Sequence, residues 1–361
     1  MSTQPDTVLS RLPAIPVRRL VQISFLIITL YIGVKFYWFA AQLETGVRLS
    51  VERPPGVEAF LPISALVSLK YFLFTGIFNR VHPSALVLFL IICATSLIVK
   101  KGFCSWICPI GLMSDLLSHL HFKIFKKYCH LPKWPDRTLR VIKYALAGFF
   151  IWNIFIKMPV AAAGQFIQSP YNRFADIKML EFFTHISPTA SGVILVLAVL
   201  SLVIPNFWCR YLCPYGALLG VLSFLSLGKI KRNRRNCIDC KECETVCPGR
   251  IQITRKADIN CAECSACLRC VDVCPRKDAI GFSLFPGFPM PKGRVALVLV
   301  VLFATGIITA KFTGYWQNDT SEQAYRRYFI ARQMPVKPHT SMNPEKVKKM
   351  IEMMKKMKPS T

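Results

Sequence analysis

Two runs of cysteine stand in tandem between residues 237 and 274. In each run, two, two and three residues separate four cysteines, and a proline follows the last one. Three thiolates at this spacing can wrap one face of a [4Fe–4S] cube, whereas the fourth is too constrained to complete the same cube and binds the other one. The pattern therefore predicts two interlocked iron–sulfur clusters and the transfer of one electron at a time.

The spacing assigns a ligand set to each cluster. The first cluster is predicted to take Cys237, Cys240, Cys243 and Cys274, and the second to take Cys264, Cys267, Cys270 and Cys247. A zinc site or a disulfide framework is the alternative, but zinc usually takes one set of four ligands, not two interlocked sets that each end in Cys-Pro. Three further cysteines are expected to be structural: Cys93, Cys129 and Cys261.

Two more cysteine pairs share the pattern C-x3-C-P-x-G: Cys104 with Cys108, and Cys209 with Cys213. Cysteines four residues apart lie one above the other on a helix face, and the proline then kinks that helix or begins the next one. Converging soft thiolates suit a metal ion or another iron–sulfur centre. A dithiol–disulfide couple and the simple packing of buried cysteines at helix ends remain open. The pairs are thus candidates for a third redox or metal site.

The composition indicates an integral membrane protein. Hydrophobic residues make up 53% of the 361 residues and charged residues only 18%, which is too apolar for an ordinary soluble domain. Five segments are long enough for a bilayer core of about 30 Å: residues 20–41, 83–99, 141–156, 191–207 and 295–310. No small-residue cleavage site closely follows the first segment, which is therefore expected to remain as an anchor. The apolar stretches 60–78 and 161–183 contain charges and are expected to be re-entrant or interfacial.

The formal net charge is +27, and its uneven distribution indicates the topology. Residues 100–143 and 209–294 contain 9 and 15 Lys and Arg, whereas residues 42–82 and 157–190 contain 4 and 3. By the positive-inside rule the first two regions, and with them the tandem cysteine runs, face the cytoplasm. No phosphate-binding loop or nucleic-acid motif accompanies the charge, so no nucleic-acid partner is expected.

The basic tail after the last span is the exception to this pattern, because it should lie outside. Met and Lys alternate between Met342 and Met357. This alternation favours a solvated amphipathic helix over a metal-binding or partner-docking segment.

An internal repeat relates the two halves of the membrane region. Residues 83–111 align without gaps on residues 188–216, which superposes the two cysteine pairs. Such a repeat predicts two similar halves around a pseudo-two-fold axis along the membrane normal. The predicted fold is an α-helical integral membrane protein with about five spans, re-entrant segments and this repeat, plus a small α+β bacterial-type 2[4Fe–4S] ferredoxin domain. The expected units are repeats 1–130 and 131–228, the ferredoxin domain 229–290, the last span 291–315 and the tail 316–361.

Haem is not expected, because no histidine falls within a predicted span and no C-x-x-C-H motif is present. All predicted redox sites then lie on one side. A mobile quinone, or a partner subunit with its own cofactors, would have to carry charge across the bilayer. Lys70 with His82, and Lys178 with His185, are expected near the opposite face. They are candidates for a quinone head-group or anion site, although interfacial capping and snorkelling are favoured.

At these residues the chain resembles bacterial membrane-bound polyferredoxins of the NapH type, which are quinol-dehydrogenase subunits of periplasmic nitrate reductase systems. The resemblance covers nearly the whole chain and is carried by the two cluster runs and by residues 103–109 and 208–216. Residues 53–58, 169–171 and 325–327 are most similar to a YccM-like branch of candidate electron-transport proteins. The resemblance implies a multi-pass protein of the bacterial inner membrane, with clusters on the cytoplasmic side and client reductases outside. The flavin-bearing domain of nitrous-oxide accessory proteins and the β-sandwich of oxidase assembly factors are not found, so no client is implied.

The expected function is electron transfer between the quinone pool and another redox protein or subunit, either as a carrier or as a quinol-dehydrogenase-type subunit. Membrane lipid, a quinone or quinol, and that redox protein are the expected partners. Two alternatives remain: a metal reductase that acts on copper at the paired cysteines, and a redox-sensing or assembly factor for a respiratory enzyme.

Overall fold

The computed structural model describes residues 17–126, 131–276, 278–284 and 289–333, most of which are helical. Cys129 and the Met- and Lys-rich part of the tail lie outside the described residues. The helices that precede the first strand are Val17–Glu44 (α1), Pro62–Thr75 (α2), Pro83–Val99 (α3), Gly102–Trp106 (α4), Pro109–Phe125 (α5), Lys133–Ile151 (α6), Val160–Gln168 (α7), Pro170–Arg173 (α8), Ala175–Thr184 (α9), Pro188–Val203 (α10) and Pro214–Leu222 (α11).

Short irregular turns connect several of these helices. A 3₁₀ turn at Pro55–Phe60 precedes α2, and π-helical turns at Trp152–Lys157 and Trp208–Leu212 follow α6 and precede α11. Proline stands in the first turn of α2, α3, α5, α8, α10 and α11. It suits that position because its ring presets φ and its missing N–H would have no partner there. The proline of each C-x3-C-P motif therefore begins a helix and does not kink one.

Three helical segments are long and apolar enough to cross a membrane by length and composition: Val17–Glu44, Trp134–Lys157 and Lys292–Phe312. A fourth crossing arises if α9 and α10, which meet at 78°, are counted as one span. The predicted span 83–99 is α3, a 17-residue apolar helix that falls short of the same length criterion. The described residues thus contain three to four candidate crossings, and the five predicted from hydropathy remain a prediction.

Helix α3 lies in the interior of the bundle. Eleven of its residues are buried, and it packs against α2, α11 and the last long helix, Lys292–Phe312. Gly306 of that last helix permits the contact, because a Cβ there would lie 2.5 Å from Cδ1 of Ile91. The aligned helix α10 buries only Ser201 among its described residues. The two aligned helices therefore have different surroundings, and the two-fold axis that the repeat suggests stays a prediction.

A small α+β module follows the bundle. Its four strands are Lys229–Arg232 (β1), Asp258–Ile259 (β2), Ile280–Ser283 (β3) and Pro289–Met290 (β4), and they form an antiparallel sheet in the order β2-β1-β3-β4. Ile230 pairs with both Ile259 and Phe282, and all three side chains are buried. Together with the short helices Glu242–Thr245 (α12) and Arg269–Asp272 (α13), this sheet forms the predicted ferredoxin domain. Two longer helices follow it, Lys292–Phe312 (α14) and Glu322–Gln333 (α15).

The module is joined to the bundle at the end of α3. Leu227 and Gly228, directly before β1, donate backbone hydrogen bonds to the carbonyls of Leu97 and Ile98 at 2.8 and 2.9 Å. These bonds place the start of β1 beside the last turn of α3. The first cysteine pair follows that turn in the chain.

Candidate iron–sulfur site

Both cysteine runs follow the same backbone path. In the first run Asp239 and Lys241 have positive φ values of 52° and 61°, and in the second run Ala266 and Leu268 have 48° and 60°. A left-handed conformation costs a non-glycine residue roughly 1–2 kcal/mol, and such strain persists where a ligand clamp determines the backbone. The repeated strain therefore fits two loops that are each shaped around a bound group.

The two runs line two separate cavities. The first, which we call the cluster-one site, is lined by Cys237, Cys240, Cys243 and Cys274. The second, the cluster-two site, is lined by Cys247, Cys264, Cys267 and Cys270. The fourth cysteine of each run thus lies in the cavity of the other run. The structure brings together the residues of both predicted ligand sets, while their binding of iron stays a prediction.

Backbone N–H groups point at several of these sulfurs. The sulfur of Cys247 accepts from Ile251 and Gly249, and that of Cys264 accepts from Ala266. These bonds lower the thiol pKa, because they favour the charged thiolate. Hydrogen bonds to sulfur also tune the reduction potential of a bound cluster. The donor set is therefore the one that an iron–sulfur cluster requires.

The two sites differ in burial. Cys264 and Cys270 are buried in the cluster-two site, whereas Cys240 of the cluster-one site is exposed. Burial raises the pKa of the Cys247 and Cys264 thiols to about 12. The thiols without iron are therefore neutral at pH 7, and iron binding must release their protons.

The two C-x3-C-P-x-G motifs have the same local structure. In each motif the first cysteine lies in a short helical turn, and the second directly precedes the proline that begins the next helix. The sulfur of Cys213 accepts a hydrogen bond from the N–H of Gly216 at 3.3 Å, and Cys108 has the same contact with Gly111. A Cβ at Gly111 would lie 2.0 Å from the carbonyl oxygen of Cys104. This close approach explains the glycine of the first motif, whereas a Cβ at Gly216 of the second motif would lie 3.6 Å or more from its neighbours.

The four paired cysteines face one another across the two halves. Burial raises the pKa of Cys104 well above its usual range, and the thiols of Cys108, Cys213 and Cys209 raise it further. Burial, followed by Cys213 and Cys108, raises the pKa of Cys209 to about 12. Within the described part of the chain, no three His, Cys, Asp or Glu side chains are arranged to hold a single metal ion. The structure gathers the four thiols, and the species that they bind stays a prediction.

The first cysteine pair contacts the loop of the cluster-two site directly. Ser105 Oγ donates to the carbonyl of Ser265 at 2.6 Å, and Trp106 Nε1 donates to the carbonyl of Ala266 at 3.0 Å. The donors lie between Cys104 and Cys108, and the acceptors lie between Cys264 and Cys267. Trp106 is fully buried. These two bonds join the paired-cysteine segment of the bundle to the cysteine loop of the ferredoxin module.

The second cysteine pair contacts the same site from the other side. Arg210, next to Cys209, donates to the carbonyl of Pro248 at 3.1 Å, directly after Cys247. The same guanidinium forms an ion pair with Asp136 at 2.8 Å. The cluster-two site therefore lies against both cysteine pairs.

A buried ion pair reinforces this interface. Lys143 of α6 donates to both carboxylate oxygens of Glu263 at 2.8 and 2.9 Å. Burial alone would raise the pKa of Glu263, but Lys101 and Lys143 outweigh it and lower the pKa to about 2. Glu263 therefore stays ionised beside the cysteine loop at all physiological pH values.

The Lys–His pairs predicted near the opposite face do not form equivalent sites. Lys70 Nζ donates to the carbonyls of Ile154, Phe155 and Met158, so it caps the turn that follows α6. Lys178 instead lies over the ring of Tyr171 at 4.4 Å, and His185 is exposed. Capping, the favoured alternative, thus describes Lys70.

His82 belongs to a different group, which we call the far-end ion cluster: Arg53, Glu58, His82, Asp176 and Tyr325. Arg53 pairs with Asp176 at 2.7 Å and with Glu58 at 2.9 Å, and His82 lies 3.2 Å from Glu58. Tyr325 donates to Asp176 at 3.2 Å. The group lies at the start of α3, about 25 Å along the helix axis from the cysteine pairs. It ties the C-terminal helix α15 to the bundle.

Sequence reasoning did not identify the residues that dock the module, and of the far-end ion cluster it singled out His82 but not Arg53, Glu58 or Tyr325. Ser105, Trp106 and Arg210 occupy the variable positions of the C-x3-C motifs, which carried no expectation. Arg53, Glu58 and Tyr325 lie in stretches that served only the family resemblance. The available signal was that three distant stretches each contain charged or hydroxyl side chains among apolar neighbours.

Comparison with known proteins agrees with these features. A family model described as a 4Fe-4S binding domain matches residues 81–127 and 187–233. Each matched stretch contains one cysteine pair, and both end before the first cysteine run begins at Cys237. The same model thus matches once in each half of the aligned repeat.

Several relatives extend the similarity over more of the chain. It is 41% identical over 318 residues to the "Putative electron transport protein YccM" of Escherichia coli, covering 86% of this chain and 88% of that protein. It is 28% identical over 211 residues to the ferredoxin-type protein NapH of Haemophilus influenzae, covering 54% of this chain and 68% of that protein. An uncharacterised protein of Methanocaldococcus jannaschii is 31% identical over 195 residues, covering 54% of this chain and 76% of that protein. No solved structure matches the chain.

Removing the indole donor at Trp106 should loosen the cysteine loop of the cluster-two site. Trp106→Phe leaves the buried carbonyl of Ala266 without its partner, which costs about 1–3 kcal/mol. Amide hydrogen exchange across residues 262–268 should then accelerate on the order of tenfold. Trp134→Phe is the matched control, because Trp134 is 79% exposed. Equal exchange rates in both variants would contradict the docking role of Trp106.

Breaking the far-end ion cluster should destabilise the bundle in a pH-dependent way. Glu58→Gln removes one partner of a buried ion pair, at a cost of about 3 kcal/mol in the free energy of unfolding. Burial would raise the pKa of Glu58, but Arg53 and then His82 outweigh it and lower it. Burial would lower the pKa of His82, but its bond to Glu58 raises it above its usual 6.5.

The sign of each shift defines the pH window for this test. The contribution of Glu58 to stability is present above its usual pKa of 4.5 and is lost as pH falls through its lowered pKa. The contribution of His82 to stability is complete below its usual pKa of 6.5 and is lost as pH rises through its raised pKa. Thermal unfolding in detergent should therefore show the largest difference between the unaltered chain and Glu58→Gln from about pH 4.5 to 6.5. Glu52→Gln, at an exposed neighbour, should change little. A Glu58→Gln protein as stable as this control would refute the account.

Proposed function

Because this chain belongs to the family of ferredoxin-type electron transport proteins that includes YccM and NapH, we propose that it carries electrons between the quinone pool and a redox protein through two [4Fe–4S] clusters. The observation that carries this proposal is the position of the cluster-two site, which lies against both cysteine pairs of the bundle. When bound, each cluster accepts or donates one electron, and the two together match the two electrons of one quinol.

The burial of the two sites supports an order of electron transfer. The cluster-two site lies beneath the contacts of Ser105, Trp106 and Arg210 with the module. The cluster-one site opens to solvent at Cys240. We propose that the buried site exchanges electrons with the membrane side and that the exposed site exchanges them with the soluble partner.

The quinone pool is proposed as the membrane-side reactant on two grounds. The part of the chain that the structure describes has three to four helical segments suited to lipid, and the resemblance to NapH-type polyferredoxins implies quinol-linked transfer. The predicted domain division and the location of the ferredoxin module in the cytoplasm of a bacterial cell remain part of the proposal. The cytoplasmic location is supported by the Lys and Arg concentrated in residues 100–143 and 209–294.

A third redox or metal centre at the paired cysteines belongs to the same proposal. Thiols of the other pair contribute to the raised pKa of Cys104 and of Cys209, and each segment is matched by a family model described as 4Fe-4S binding. Such a centre would lie on the membrane side of the cluster-two site. It would extend the electron path toward the bilayer.

Quinol oxidation tests the proposed function and the order of the two sites. A quinol analogue added anaerobically to the protein in nanodiscs should reduce both clusters, measured as bleaching of their visible absorbance. Cys267→Ala should abolish reduction by quinol while dithionite still reduces the remaining cluster. Cys240→Ala, the matched variant in the cluster-one site, should leave the buried cluster reducible by quinol. No bleaching in the unaltered protein, or the reverse pattern in the two variants, would overturn the proposal.

Metal analysis tests the third centre. The unaltered protein should contain more metal than two four-iron clusters require, and the excess should be lost in the double variant Cys104→Ser/Cys209→Ser. Cys93→Ser, at a cysteine outside every proposed ligand set, is the control and should keep the excess. Copper instead of iron in the excess would favour the copper-handling alternative. An unchanged metal content in the double variant would exclude the third centre.

A further inference from the structure

The solvent-facing edge of the cluster-one site is basic. Ile238, Lys241 and Arg276 line the site and are exposed, and the exposed Arg234 and Arg235 lie three and two residues before Cys237. We call these five residues the cluster-one rim. Ile238 is 56% exposed although it is apolar, and it lies between the cluster-one cysteines Cys237 and Cys240. The rim thus presents four positive charges and one apolar contact next to a redox site.

Most acidic residues near the rim already have partners. Asp239 forms an ion pair with Arg232 at 2.5 Å. The carboxylate of Glu244 accepts from the backbone N–H and the hydroxyl of Thr254 at 2.8 and 2.6 Å. In contrast, no ion pair within the described residues involves Arg234, Arg235, Lys241 or Arg276. Glu242 and Asp278 are the remaining acids nearby, so positive charge is in excess.

The cluster-two site is less accessible to a soluble protein, because two of its cysteines, Cys264 and Cys270, are buried. The loop of the cluster-two site is covered by the bundle through Ser105 and Trp106, and by Arg210 on its other side. Within the described residues, the side-chain hydrogen bonds and ion pairs around the rim stay inside the module. Among the described residues, the rim is therefore the more open approach to a cluster site for a soluble protein.

We propose that the cluster-one rim is the docking surface for a soluble, acidic one-electron carrier protein. This rests on the proposed function and specifies its redox partner. Complementary charge steers two proteins into encounter and raises the association rate, with a strong dependence on ionic strength. Electron-transfer encounters bury small interfaces, and an apolar residue ringed by basic ones suits such a brief contact. One electron leaves the reduced carrier and one is accepted at the cluster-one site, so no further reactant is needed.

Stopped-flow kinetics with a reduced acidic flavodoxin as the probe test this proposal. The full chain is used with its clusters, in nanodiscs of zwitterionic lipid, so that lipid charge does not contribute. The second-order rate constant for reduction of the protein should fall about tenfold or more between about 20 and 300 mM salt. At low salt it should be about tenfold lower in Arg234→Glu/Arg235→Glu, with a weaker dependence on salt. Arg276→Glu, on the other side of the site, should show a smaller loss.

The matched control is Arg137→Glu/Arg294→Glu, which makes the same charge change at exposed residues of α6 and α14. It should react as fast as the unaltered protein. An equal loss in the control, or a rate that does not depend on salt, would overturn the docking surface. A salt dependence that appears only in nanodiscs with phosphatidylglycerol would show that the rim binds lipid, and would also overturn it.

Two further readings separate this proposal from the proposed function. The Arg234→Glu/Arg235→Glu protein should retain both clusters by EPR after dithionite and should still be reduced by a quinol analogue. If the unaltered protein is reduced by quinol but not by the flavodoxin, the docking surface is wrong and the proposed function stands. If it contains no clusters or accepts no electrons from quinol, both are wrong.

Discussion

The hydrogen bonds from Ser105 and Trp106 to the carbonyls of Ser265 and Ala266 join the helical bundle to the ferredoxin module. They hold the cysteine loop of the cluster-two site against the paired-cysteine segment of the bundle. Because the acceptors are backbone groups inside that loop, the bonds fix its path as well as its location. The ion pair of Lys143 with Glu263 and the contact of Arg210 with Pro248 act on the same interface. The helical bundle therefore holds the cluster-two site of the module in place.

These contacts distinguish the two cysteine loops, although the loops have similar sequences. Both loops have left-handed residues at equivalent positions, yet one faces the bundle and the other faces solvent. Reduction potentials of iron–sulfur clusters depend on burial, net charge and hydrogen bonds to sulfur. The same motif therefore yields two sites of different accessibility, and the exposed one is bordered by basic residues that form no ion pair within the described part of the chain. The same excess of positive charge underlies two proposals, the cytoplasmic location of the module and the docking of an acidic partner.

The sequence predicted the features that depend on local spacing. The two predicted ligand sets and the ferredoxin domain follow from short-range rules, and the structure confirms that domain. Whether the proline of each C-x3-C-P motif kinks a helix or begins one was open until the structure showed that it begins one. The spans were less predictable, because α3 is as apolar as a span but has only 17 residues and lies inside the bundle. Lys70 and Lys178 occupy similar positions in the repeat, yet one caps a turn and the other lies over a ring. The partner of a buried polar side chain depends on tertiary packing, and the spacing of residues in the sequence does not predict that packing.

The central claim is that two four-iron clusters are held by interlocked cysteine sets, with the buried one against the bundle. Iron and acid-labile sulfide analysis combined with EPR of anaerobically purified protein tests it most directly. The account predicts at least about eight iron atoms per chain and, after full reduction, two [4Fe–4S] signals that interact magnetically. A protein with about four iron atoms or fewer, or with zinc in place of iron and no EPR signal on reduction, would contradict it.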